Sequence, residues 1–378
     1  MGSQTCEGSG SPGRKVPSRR SDFIDAIRGL AVLGVIAVHV GQKMPAPWFW
    51  LKQLMDAGQY GVQLFFLASA VTLYNSHEHR SQEQGATAKY LIRRFFRIAP
   101  IYYLAILFYY AYFNAQELKI GIEVPVANFL FVHSLFPTTI NVAPPGGWSI
   151  GVEMLFYLIL LWVFRWVHNL KSAAALLAAT ILLALGARLI TGNIRGEDHL
   201  MGEFFHYYLP NQLYVFAIGI CAYFIVKVPL NRDEPAKPAL GWMAFLISSI
   251  LCLFVLSLVR TSSILFEIPF AVCLAGLVVS LANWRPNVLV NPVTCLLGKL
   301  SFSIYLVHFV MLDLSVGLFK RFGVADGIFG TLSLFAVVTL LTVAVAAVTK
   351  RWIEDPGIDL GRRFIRQMDS KREVNPAL

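Results

Sequence analysis

Apolar runs long enough to cross a bilayer recur along nearly the whole of this chain, and that repetition limits the fold more than any motif does. A helical span of the hydrocarbon core needs about 20 mostly apolar residues, and within lipid it must satisfy its own backbone hydrogen bonds. The segments 23–42, 58–76, 98–115, 148–166, 172–191, 209–226, 239–259, 264–282, 299–318 and 328–348 meet that description. Of the 378 residues, 56% are hydrophobic and only 14% charged, against about a quarter charged in soluble domains. The expected fold is all-α: a polytopic integral membrane protein with about ten transmembrane helices in one bundle.

A net charge of +10 invites a nucleic-acid reading, but its distribution argues otherwise. If the N-terminus is cytoplasmic, roughly three-quarters of the Lys and Arg residues fall on cytoplasmic loops and tails, the asymmetry that orients membrane proteins. Both termini are therefore expected in the cytoplasm, with no nucleic-acid partner. Residues 1–20 read as a disordered basic tail, 21–355 as the transmembrane domain and 356–378 as a second basic tail. The first apolar run lacks a small-residue cleavage site and reads as a retained helix. The five cysteines, Cys6, Cys221, Cys252, Cys273 and Cys295, are scattered without CxxC spacing, so neither a disulfide framework nor a metal site is expected. Residues 116–147 contain an apolar stretch, Asn128 to Phe136, too short to span. That outer connection reads as an interfacial or re-entrant element over the mouth of the bundle.

Ionisable residues inside apolar helices are costly and mark function by default. Arg28 and His39 lie eleven residues apart on the first helix, close to three turns, so they share a face but stand roughly 16 Å apart along the axis. The structural alternative is a snorkelling arginine and a satisfied core histidine. Arg93, Arg94 and Arg97 precede Pro100 at the entrance to the third span. They fit a cytoplasmic anchor, an anionic-lipid contact, or a cradle for phosphates, which guanidinium forks bind bidentately. Trp148, Ser149, Glu153 and Tyr157 form a run on the fourth span. An unpaired carboxylate there is expensive, so Glu153 should face the interior beside a cation, an imidazole or a polar substrate, or form a structural clasp with an arginine. Trp148 and Tyr157 suit either an interface belt or a sugar-stacking platform. Ser301, Tyr305 and His308 sit on the ninth span, where Ser301 and Ser303 favour helix packing. The acidic pair Glu354-Asp355 is expected to lock onto the basic cytoplasmic face.

Taken in order, these runs resemble the membrane-bound acyltransferase 3 family over about residues 21–360. The resemblance rests on Asp25-Ala26-Ile27-Arg28-Gly29-Leu30-Ala31 with His39, Leu64-Phe65-Phe66-Leu67-Ala68-Ser69, the Arg93/Arg94/Arg97 cluster, Trp148-Ser149 with Glu153 and Tyr157, and Tyr305-Leu306-Val307-His308. Ala70 departs from a common family glycine. The resemblance implies O-acyl transfer, most simply acetyl, from cytoplasmic acyl-CoA to a hydroxyl of an extracytoplasmic carbohydrate or glycolipid, such as an exopolysaccharide or lipopolysaccharide. Acyl-CoA would be a donor substrate, with no tightly bound cofactor. Partner proteins of a polysaccharide pathway are possible, and a bacterial chain would sit in the inner membrane.

Chemically, His39 suits a general base or a nucleophile forming an acyl-histidine. Arg93, Arg94 and Arg97 suit the donor's phosphates, while Arg28 joins them or acts at the thioester end. Glu153 suits orienting the imidazole or holding the acceptor hydroxyl, and Trp148, Ser149, Tyr157, Tyr305 and His308 suit the acceptor site. The competing class is a proton- or anion-coupled transporter or flippase, but the paired halves and broken helices common there are not evident in the sequence.

Overall fold

The computed structural model describes residues 22–232, 237–258 and 264–374, and the basic segment 1–20 lies outside them. Ten long helices coincide with the ten apolar segments: α1 (Asp22–Lys43), α3 (Gly61–Arg80), α4 (Ala86–Ala115), α6 (Gly147–Trp166), α7 (Leu170–Glu197), α9 (Leu209–Leu230), α10 (Pro238–Leu258), α11 (Ile264–Asn283), α12 (Pro292–Arg321) and α13 (Ile328–Thr349). Shorter helices α2 (Phe49–Asp56), α5 (Glu123–Phe129) and α8 (His199–Tyr207) connect them, and α14 (Asp355–Val374) follows α13 through a π turn at Lys350–Glu354. There is no strand among the described residues. Eight stretches are long and apolar enough to span a membrane by themselves. α3 and α4 are not among them, because polar and basic residues occupy one end of each helix.

The central element is α1, whose Phe23, Ile27, Ala31 and Val35 are buried. It crosses α12 so closely that a Cβ on Gly29 would intrude on the Thr294 carbonyl, and one on Gly298 on that of Asp25. Small residues permit such backbone approach where burial of apolar surface gives no drive between helices in lipid. A similar contact explains Ala70. It is fully buried on α3, and a Cβ on Gly219 of α9 would lie 2.7 Å from its methyl group. The glycine of this helix pair is therefore on the partner helix, α9.

Residues 116–147 form a folded cap. Asn128, His133, Ser134 and Thr139 are buried, and their bonds tie the cap to the bundle. Tyr102 of α4 donates to Asn128 Oδ1 at 2.5 Å, His133 Nε2 donates to the Gly147 carbonyl at 2.9 Å, and Thr139 donates to the His133 carbonyl at 2.9 Å. The cap ends at Gly146, whose φ of +75° favours glycine. Its carbonyl accepts from Tyr305 of α12 at 2.9 Å.

The segment read as a basic tail, 356–378, is helical through Val374 and packs on α4. Phe364 stacks on Phe96 with centroids 5.4 Å apart, Lys89 pairs with Asp369 at 2.6 Å, and Gly357 and Gly361 let the helix settle on Pro100 and Phe96. Glu354 is buried, where it accepts from Ser303 of α12 at 3.0 Å and pairs with Lys350 at 3.3 Å. Lys350 also meets Asp355 at 2.9 Å. Four cysteines, Cys221, Cys252, Cys273 and Cys295, are free thiols.

Candidate functional site: two cavities and a shared wall

Three neighbouring spaces, each sharing lining residues with the next, hold most of the residues singled out by the sequence. The first is a groove between α4 and α14, lined by Arg80, Arg93, Arg94, Arg97, Arg362 and Arg366. On α4, Arg97 lies four residues from Arg93 and three from Arg94, spacings that bring these guanidiniums to the groove with α14. Arg93 is paired with Glu83 at 2.8 Å and Arg362 with Asp359 at 2.8 Å, so those two are partly neutralised.

Arg94 and Arg97 also line a second, inner cavity, together with Arg28, Ser69, Thr72, Glu153 and Tyr157. Arg28 Nη2 donates to Thr72 Oγ1 at 3.3 Å. The Arg94 guanidinium carbon lies 5.9 Å from the ring centres of both Tyr90 and Tyr157, within cation–π range, and its buried Nε has no hydrogen-bond partner. Glu153 Oε1 accepts from Ser69 at 2.6 Å and from Tyr157 at 2.7 Å. Its carboxylate is thus positioned by hydroxyls, and three guanidiniums line the cavity with it. Such a cavity favours an anionic or strongly polarised guest.

The third space is an outer cavity containing His39, Gln42, Gln63, Trp148, Gln212 and Glu267. Val62 and Tyr305 line both this cavity and the inner one. Gln42 Oε1 lies 2.9 Å from His39 Nδ1. A carboxamide oxygen can only accept, so Nδ1 carries the hydrogen and Nε2 keeps its lone pair. Trp148 stacks on Tyr207 with centroids 4.4 Å apart. His308 is buried behind His39, with ring centroids 5.3 Å apart.

The expected residues are therefore divided. Arg28, Arg94, Arg97, Glu153, Tyr157 and Ser149 line the inner cavity. His39 and Trp148 line the outer one, and Tyr305 lines both. Arg28 and His39 do not meet, as their spacing requires. Glu153 and His39 line different cavities, and the group bonded to the His39 ring is Gln42 rather than a carboxylate. Ser149 donates to Tyr305 at 2.9 Å, which makes it a support of the shared wall.

Sequence reasoning missed a buried ion pair. Arg188 of α7 meets Glu267 of α11 at 2.5 Å and donates through Nε to Asn211 at 2.8 Å, while Tyr214 donates to Glu267 at 3.4 Å. The signal was available: Glu267, like Glu153, is a carboxylate inside an apolar run.

Comparison with known proteins agrees with this architecture. The family described as "Acyltransferase domain", the acyltransferase 3 family, matches residues 21–351, and the chain belongs to it. Peptidoglycan O-acetyltransferase OatA of Listeria monocytogenes is 29% identical over 182 residues, covering 43% of this chain and 27% of that protein. A Staphylococcus aureus (strain COL) protein bearing the name O-acetyltransferase is 22% identical over 363 residues, covering 88% of this chain and 56% of its own length. The chain thus spans between a quarter and just over half the length of these relatives. No solved structure matches it.

Proposed function

We propose that this membrane acyltransferase transfers an acetyl or similar short acyl group from cytoplasmic acyl-CoA to a hydroxyl of an extracytoplasmic carbohydrate. The observation that carries the reading is the pair of cavities back to back across Val62 and Tyr305, arginine-lined on one side and holding His39 on the other. The basic groove of α4 and α14 suits the donor's phosphates, since charge-assisted guanidinium bonds are the strongest available to them. The pantetheine arm then lies along the inner cavity, past Arg28 and Glu153, with the thioester at the wall. The orientation rests on the same charge asymmetry by which both termini are expected in the cytoplasm.

In the reaction, His39 Nε2 takes the proton of the acceptor hydroxyl as its oxygen attacks the thioester carbonyl. The C–O bond forms, the tetrahedral intermediate collapses with loss of the C–S bond, and the thiolate recovers the proton from the imidazolium. Gln42 holds the ring in the tautomer this step needs. Glu153, on the donor side of the wall, orients the arginines and the arm rather than the imidazole. The test is acyl-CoA-dependent labelling of carbohydrate by purified protein in proteoliposomes, with acyl-CoA supplied to one face and acceptor to the other. Transfer that requires the two substrates on opposite faces is expected. Movement of carbohydrate without covalent labelling would overturn the reading in favour of a transporter.

A further inference from the structure

Three buried oxygen atoms without a hydrogen bond belong to side chains that line one cavity. Gln63 Oε1, Gln212 Oε1 and Glu267 Oε1 each lack a partner, and all three residues line the outer cavity beside His39. Gln63 is 9%, Gln212 4% and Glu267 4% exposed. Burying an acceptor without a donor forfeits its hydration with no return, so a cluster of three calls for an explanation. Two of them are fixed in identity by their neighbours. Gln212 Nε2 donates to the His206 carbonyl at 2.9 Å, which identifies the unpartnered atom of the amide as its oxygen. Glu267 Oε2 is engaged by Arg188 and Tyr214, while Oε1 has only His206 Nδ1 at 3.9 Å.

We infer that this wall is the acceptor-recognition surface, and that Gln63, Gln212 and Glu267 select a neutral, polyhydroxylated sugar over an acidic one. The inference deepens the acyltransferase reading and rests on it for the chemistry that follows binding. Sugar hydroxyls are donors and would satisfy oxygens that can only accept. A uronate carboxylate set against the same three oxygens would find no hydrogen to accept. The Arg188 guanidinium offers a uronate no compensating bond, because it is engaged by Glu267 Oε2 and Asn211. Trp148 and Tyr207, stacked in the same cavity, supply the flat apolar face that the ring carbons of a sugar need. A site built to hydrogen-bond hydroxyls rejects a guest that cannot supply them far more strongly than an apolar pocket rejects a misfit.

Binding is measured on the full-length protein in detergent, without any acyl donor, so the result does not depend on transfer. The probes are a β-1,4-linked N-acetylglucosamine tetramer, maltotetraose and tetragalacturonate, read by calorimetry. At least one neutral probe is expected to bind at least about tenfold more tightly than tetragalacturonate. Gln63→Met and Gln212→Met, similar in size but without the acceptor, are expected to weaken that probe roughly tenfold each. Acyl-CoA binding should stay at its wild-type value, and the thermal stability of Gln63→Met should not fall. Should Gln212→Met fold poorly because its bond to His206 is lost, Gln63→Met carries the test alone. Equal or tighter binding of the uronate, binding of neither neutral probe, or full binding by folded Gln63→Met would each overturn the inference. A failure of labelling in proteoliposomes with neutral-sugar binding intact would instead count against the acyltransferase reading.

Discussion

His39 and His308 stand 5.3 Å apart, centre to centre, with their ring planes at 34°, yet only one of them is free to act on a guest. His308 is 1% exposed, and its Nδ1 donates to the Tyr305 carbonyl one turn back at 2.7 Å. His39 lines the outer cavity, and its ring is hydrogen-bonded to Gln42. His308 and Phe309, the latter 4.5 Å from the His39 ring, thus form the packing against which the His39 imidazole rests.

His39→Ala is expected to lower turnover by about 10²–10⁴-fold, the range for loss of a general base, while membrane insertion stays normal. Gln42→Leu should cost roughly tenfold by releasing the tautomer. Initial rates on protein quantified by size-exclusion chromatography decide both; turnover retained by His39→Ala would remove it from the chemistry.

Glu153→Gln keeps the shape of the side chain and removes its charge. The Ser69 and Tyr157 hydroxyls can still donate to the amide oxygen, so thermal stability should change little. Turnover per folded molecule is expected to fall at least about tenfold, or roughly 1.4 kcal/mol of barrier, with the KM for carbohydrate unchanged. Unchanged turnover alongside lower thermal stability would make Glu153 a structural residue.

Arg97→Ala and Arg366→Ala should each raise the KM for acyl-CoA roughly tenfold, and added salt should reproduce part of the loss by screening. Arg93→Ala should do less, because Glu83 already engages that guanidinium at 2.8 Å. Acyl-CoA lacking its 3′-phosphate should bind more weakly to wild type and lose less on mutation. An effect of these variants on acceptor KM alone would contradict the assignment of the groove to the donor.

His133, in the cap outside the spanning helices, has its pKa pushed down to about 4 by burial. The folded state therefore resists protonation that the unfolded chain accepts from about pH 6.5 downward. Its contribution is fully present above pH 6.5 and is lost as pH falls toward 4, about 3 kcal/mol at most. Thermal melts in detergent from pH 7.5 to 4 should show that decline. His133→Asn, which keeps a donor for the Gly147 carbonyl, should flatten it.

The spanning helices were legible because lipid enforces length and apolarity, two properties a single sequence carries. Their ends were less so. α4 begins at Ala86 rather than near residue 98, because its first three turns are basic and aromatic and are stabilised by packing on α14. α12 begins at Pro292, where Asn291 and Thr294 form a capping box ahead of the apolar run. The arginine and histidine clusters were legible from the cost of charge in lipid. Their division between two cavities was not, since it depends on which face of α6 meets α3 and which meets α12. Glu267 was visible by the same rule as Glu153, but its partner Arg188 lies 79 residues away, beyond what spacing reveals.

The side chains of Val62 and Tyr305, which separate the two cavities, carry an electrical burden as well as a chemical one. A continuous polar passage through a membrane protein would conduct ions, and here Val62 and Tyr305 stand between the two polar cavities. Tyr305 is fastened to Gly146 and Ser149, so its phenol acts as a plug anchored to the cap. An acyl group only two or three atoms long can be handed past such a plug while hydrated ions are held back. Under the proposed transfer, the same side chains that would hold ions back would also limit the size of the acyl group handed across.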